Sequence, residues 1–166
     1  MKTTDITSEQ VIERLGLMPL TDEGGQAIRT YCSKTLTADG KVAGTAIYYL
    51  LKGKAFSHLH RLSGDEIYHF YMGDAVELIE LLPDGTVRRT VLGSNILKGE
   101  TPQHLVPAGT WQGSRLTEGG DWALLGTTMC PGYTEDEYEQ GSPEYLLNKY
   151  PSAEKEISEL TGDVRY

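Results

Sequence analysis

Apolar residues in this chain come in short runs that break off at glycine, proline or charged residues, the signature of strands joined by turns. Thr45–Leu51, Ala55–His60, Glu66–Met72, Ala75–Leu82, Thr86–Leu92, His104–Val106, Trp111–Leu116 and Trp122–Met129 read as strands. Pro83-Asp84-Gly85 predicts a hairpin turn, because proline presets φ and glycine accepts a positive φ. So many short strands at this spacing predict a β-sandwich or barrel. Ahead of them, Val11, Ile12 and Leu15 mark one face of a short helix. Thr7 and Gln10 supply its capping box and Gly16 its stop. Thr21–Gly25 reads as a loop.

The tail changes character. Pro131–Gly141 is acidic, carries two tyrosines and reads as a loop wrapping the barrel. Ser142-Pro143 predicts the start of a helix. Ser152 is the candidate cap of a last short helix, with Ile157 and Leu160 inward and Gly162 at its end. There is no repeat, low-complexity stretch or linker. The expected organisation is a single domain over 1–166, with a barrel core at about 28–130 and a helical and loop tail at about 131–166.

Composition narrows the partners. A net charge of −9 opposes binding to nucleic acid and to anionic membrane surfaces. Cys32 and Cys130 lack metal or redox spacing and read as free, mostly buried thiols of a reducing compartment. Met1–Gln10 lacks the apolar stretch of a signal peptide, and no run is long enough to span a membrane, so a cytoplasmic location is expected.

The candidate chemistry lies in one short segment holding His58, His60, Glu66 and His69. Strand alternation puts His58 and His60 on one face. Gly64-Asp65 turns the chain so that Glu66 can reach the same space. Two imidazoles and a carboxylate form a face able to bind Fe, Mn, Ni, Zn or Cu. Tyr68 shares Glu66's face and can offer a phenol, whereas His69 falls on the opposite face as a packing or interface residue.

These residues also form a pattern. Gly53, His58, His60, Glu66 and Gly73 resemble the first sequence motif of the cupins, and Pro107-Ala108-Gly109-Thr110-Trp111-Gln112 resembles the second. Glu23-Gly24-Gly25, Arg29-Thr30-Tyr31, Asp65-Glu66-Ile67-Tyr68-His69-Phe70, Asp121-Trp122-Ala123-Leu124 and Pro131-Gly132-Tyr133 extend the likeness to cupin family five, a domain family of unknown function. The resemblance implies an all-β, cupin-type jelly-roll barrel with short helices at both ends, a homodimer, and an internal pocket for a small molecule. Gln112 stands where most cupins place their last histidine ligand, and His58 stands where family five often has another residue.

The expected metal ligands are therefore His58, His60, Glu66 and Gln112, with His60 and Tyr68 as catalytic base and acid. Tyr48, Phe56 and Tyr133 are expected to line the pocket, and Gln112 and Ser114 to point inward. Arg29 and Arg61 are candidate anchors for an anionic ligand group, the alternative being surface ion pairs. Trp111 is expected to pack outward and His104 to sit on a strand edge at the surface. Four readings stay open: a metal-dependent enzyme acting on a sugar, hydroxy acid or keto acid; a metal-free epimerase-like enzyme; a non-catalytic binding protein; and a structural homodimer whose histidine cluster is a hydrogen-bonded core.

Overall fold

The structure, a computed structural model, describes residues 6–166. Helix α1 (Ser8–Leu15) starts at the expected box: Thr7 N–H donates to Gln10 Oε1 at 2.9 Å, and Gln10 N–H donates to Thr7 Oγ1. Gly16, at φ 68°, ends it. The strands are β1 (Met18–Pro19), β2 (Gln26–Cys32), β3 (Thr45–Lys52), β4 (Phe56–Arg61), β5 (Asp65–Gly73) and β6 (Val76–Leu81). They continue as β7 (Val87–Leu92), β8 (Gln103–Val106), β9 (Trp111–Leu116), β10 (Trp122–Cys130) and β11 (Glu139–Gln140). Helices α2 (Pro143–Lys149) and α3 (Glu154–Leu160) close the chain.

The strands form two antiparallel sheets, ordered β1-β2-β3-β10-β5-β8 and β11-β4-β9-β6-β7. Side chains alternate across each strand, so each sheet has an inner and an outer face. Tyr49, Leu51, Tyr68 and Leu125 of the first sheet meet Val76, Leu78, Leu92 and Leu116 of the second to form the core between them. The outer faces are covered too. Val11 and Leu17 pack with Leu50, Trp122 and Leu124 outside the first sheet. Leu146, Ile157 and Leu160 of α2 and α3 pack on Phe56, Leu59, Ile79, Leu81 and Trp111 outside the second. Coverage on both faces explains why five of the six residues of Val76–Leu81 are buried.

Several local expectations are corrected. Ser142 precedes α2 but makes no side-chain capping bond. Ser152 sits inside a 3-10 turn, and Ala153 takes the position before α3. Both cysteines are free and exposed rather than buried, because they lie at strand ends where the sheet gives out. His104 does lie on the edge strand β8, but it is half-buried rather than at the surface: its Nε2 lies 2.8 Å from Glu80 Oε2, and Glu80 is fully buried. The His104–Glu80 bond ties the edge of one sheet to the interior of the other, and Arg88 Nε, from the neighbouring strand of Glu80's own sheet, donates to the same carboxylate at 2.8 Å. Among the described residues, no helix is long and apolar enough to cross a membrane.

Candidate active site

At one end of the space between the sheets lies a cavity of about 400 Å³. Its walls come from β2 (Ala27, Arg29), β3 (Thr45, Ile47) and β10 (Thr127, Met129), with Glu66 of β5 among them. The loop through Asp22 and Glu23 and the tail through Tyr133, Glu135 and Tyr138 close it. Pairing explains the convergence. Thr45, Met129, Glu66 and Val106 are successive cross-strand partners, as are Arg29, Ile47, Thr127, Tyr68 and His104, so each row shares a face of the sheet.

Glu66 is the centre of the polar interior. Gln112 Nε2 donates to its Oε2 at 2.8 Å, from the opposite sheet. Burial pushes the Glu66 carboxyl above its ordinary value; the charge on His60 opposes this and Glu23 reinforces it. Gln112 is 1% exposed, and its own Oε1 has no hydrogen-bond partner. Ser114 Oγ is likewise buried and unpartnered.

His60 faces Gln112 across the β4–β9 pair and is 1% exposed. Its Nδ1 lies 2.7 Å from the carbonyl oxygen of His58. A carbonyl only accepts, so Nδ1 carries a proton. The ring stacks on Tyr138 with centroids 5.0 Å apart. It therefore stands behind the tail tyrosine rather than on the cavity wall. Tyr68 shares Glu66's face as expected but belongs to the apolar core, where burial first and Glu66 second push its phenol far up.

The expected pairing of His58 with His60 fails at a β-bulge. Ser57 faces Ser114 and His60 faces Gln112, so β4 spends one residue more than β9 over the same span. Ser57, not His58, thus shares the face of His60. His58 lies 6.4 Å from the Phe56 ring, and its Nδ1 meets the Leu59 carbonyl at 3.0 Å. Gly113 sits opposite the bulge; a Cβ there would meet Ser57 O at 2.9 Å and the Leu59 side chain at 3.2 Å, so glycine permits the close approach.

Three further expectations shift for the same reason, that alternation fixes the face. Tyr48 lies on the outer face of the first sheet, edge-on to Tyr71 at 5.8 Å, and packs towards α1. Phe56 packs under α2 and α3. Arg61 takes the surface alternative: Nε donates to Glu139 at 2.6 Å and the guanidinium covers Trp111 at 4.7 Å. Trp111 packs outward and His69 lies on the outer face beside Thr128 Oγ1 at 3.0 Å, both as expected. Arg29 and Tyr133 do line the cavity.

Sequence reasoning missed Glu23. Ser57 Oγ donates to its Oε1 at 2.6 Å, and its carbonyl accepts from His58 N–H at 2.7 Å. The signal was present in Glu23-Gly24-Gly25. Gly24 has φ +99°, and a Cβ there would come within 2.3 Å of the Phe56 carbonyl oxygen. Only glycine lets the loop press this close to β4 and hold the preceding carboxylate at the cavity. Tyr138 was equally hidden, because the acidic tail has no periodicity to place its rings.

A profile described as Cupin superfamily (DUF985) matches residues 9–140. The chain belongs to this family. No curated protein matches it in sequence. Among solved structures, this cupin is similar to protein SO0799 from Shewanella oneidensis, at 32% identity, TM-score 0.88, covering 95% of this chain and 98% of that one. A hypothetical protein from Leishmania major is similar at 29% identity, TM-score 0.86, covering 93% and 98%. Oxalate decarboxylase from Bacillus subtilis, studied for its Mn(II) centres, is similar at 17% identity and TM-score 0.54, covering 90% of this chain and 39% of that one. At that identity the likeness shows the fold alone.

The side chains expected to bind a metal do not all converge. Of the four expected ligands, the structure gathers His60, Glu66 and Gln112 and leaves His58 on the far side of the bulge. Gln112 turns its donor, not its oxygen, to Glu66. Among the described residues, no three or more His, Cys, Asp or Glu side chains group as metal ligands. The expected two-histidine, one-carboxylate face is therefore not formed.

Proposed function

We propose that this cupin is a small enzyme that performs acid–base chemistry on a small polar molecule, with Glu66 as the group that gives and takes the proton. The supporting observation is the setting of Glu66: a buried carboxyl among the cavity walls, shifted towards its neutral form and held by Gln112. An acid shifted towards the working pH can both donate a proton to a substrate oxygen and recover it. Glu23, across the same cavity, offers a second carboxylate oriented by Ser57. His60 acts on the reaction as a positioning residue: its charge opposes the upward push on Glu66, and its ring seats Tyr138. Arg29 offers a guanidinium to an oxygen of the ligand at the rim, with no carboxylate within 4.0 Å of it among the described residues. Sugars carry the hydroxyl and carbonyl groups this chemistry needs and bring no further negative charge to an acidic cavity.

The test is hydrogen exchange into substrate. The protein is incubated in D₂O with a panel of aldoses, ketoses and hydroxy and keto acids, and carbon-bound deuterium is read by NMR. Incorporation into at least one compound, lost in Glu66→Gln, is the expected result. Exchange that survives Glu66→Gln, or none across the panel, sinks the proposal.

A further inference from the structure

The cavity's charge is lopsided. Asp22, Glu23, Glu66 and Glu135 line it, and the sole basic residue among the lining residues is Arg29. The hydrogen-bond inventory leans the same way. Carboxylates only accept, and the Gln112 amide next to Glu66 keeps a buried oxygen that nothing meets. A guest that brings N–H or O–H donors to the four lining carboxylates is therefore favoured over one that brings more acceptors. Tyr133 and Tyr138 add aromatic surface to the same wall. Carboxylates together with aromatic faces make an environment suited to an organic cation.

We infer that the cavity selects a small molecule carrying a protonated amine among hydroxyl groups, and that it rejects carboxylates of the same size. The inference rests on the reading of this cavity as the ligand site and adds the charge of the ligand. The ammonium lies between Glu23 and Glu66, a hydroxyl reaches Thr127, and Arg29 holds an oxygen at the far end. Raised phenol acidity constants at Tyr133 and Tyr138, caused by burial and then by Glu23, reflect the same negative field.

Three probes of nearly one shape separate the alternatives: Tris as its ammonium form, neutral pentaerythritol, and anionic 2,2-bis(hydroxymethyl)propionate. Binding is followed by methyl NMR at Met129 and Thr127, which line the cavity, at a pH where the amine is fully protonated. Tris is expected to bind about tenfold or more tighter than pentaerythritol, with the carboxylate showing no binding. Glu23→Gln should erase most of that preference. Asp22→Asn and Glu135→Gln, at exposed positions that folding tolerates, should each weaken Tris by about twofold to threefold. Equal or tighter binding of the neutral or anionic probe overturns the charge inference and leaves the cavity reading standing. Silence at Met129 and Thr127 with all three probes overturns both.

Discussion

Replacing Glu66 by glutamine should stabilise this protein at neutral pH, and the gain should shrink in acid. Glu66 is buried, and burial raises its carboxyl above the ordinary 4.5. The folded chain therefore holds this proton more tightly than the unfolded chain does. Stability from this group is complete below the unfolded value and is lost as pH rises through the folded value. Each tenfold by which burial weakens the acid removes about 1.4 kcal/mol at a pH above both values. The variant loses that dependence. Its new amide can also meet both arms of Gln112, supplying an acceptor to Nε2 and a donor to the orphaned Oε1. A satisfied buried acceptor is worth a further ~1 kcal/mol. Together these predict a variant about 1–3 kcal/mol more stable near neutrality. For a chain of this length that is a rise in Tm of ~2–4 °C per kcal/mol. Urea or thermal unfolding followed by tryptophan fluorescence across the acid-to-neutral range measures it. Subtracting the two profiles removes every other titrating group. A variant less stable than the parent at neutrality, or a difference that does not move with pH, refutes the reasoning.

Other expectations can be checked alongside. Glu80 is held below its ordinary value because hydrogen bonds from His104 and Arg88 outweigh its burial. Its contribution is present above the unfolded value and lost as pH falls through the folded one, so Glu80→Ala should cost about 2 kcal/mol at neutral pH and progressively less in acid. That figure sits below a fully enclosed pair because Arg88 is 41% exposed and rehydrates. Gly24→Ala should lose about 2 kcal/mol or more by denaturant midpoint, since the strained φ and the 2.3 Å approach to Phe56 O act together. Thr7→Ala should lose ~1 kcal/mol by the same assay, with little effect on ligand binding, because its cap serves α1 alone.

What could be read from the sequence was what is local. The Thr7–Gln10 box, the Gly16 stop and the Pro83-Asp84-Gly85 turn act within a few residues, and all formed; Asp84 Oδ1 accepts from Thr86 N–H at 2.9 Å in that turn. Strand limits followed from runs of apolar residues and from punctuation by glycine and proline. Alternation worked along β5, where Glu66 and Tyr68 share a face, and failed along β4. There a bulge opposite Gly113 inserts one residue, and nothing in His58-Leu59-His60 itself announces the slip. Tyr48 and Phe56 were misassigned because an aromatic residue looks alike on either face when the inner face packs on the other sheet and the outer face on helices. Glu23 and Tyr138 reach the cavity through loop paths that depend on contacts far along the chain, such as the ion pair of Lys41 with Glu137 and the bond from Gln140 to the Asp22 carbonyl at 3.3 Å. His104 was placed at the surface because its partner Glu80 lies on the other sheet.

The account turns on a carboxyl that stays protonated further up the pH scale than an ordinary glutamate while lining an open cavity. Labelling glutamate carboxyl carbons with ¹³C and titrating them by NMR, with the Glu66 signal assigned by its loss in Glu66→Gln, measures that property directly. A midpoint clearly above the ordinary glutamate range, moving down when protonated Tris is added, is the predicted result. A midpoint within or below that range contradicts it.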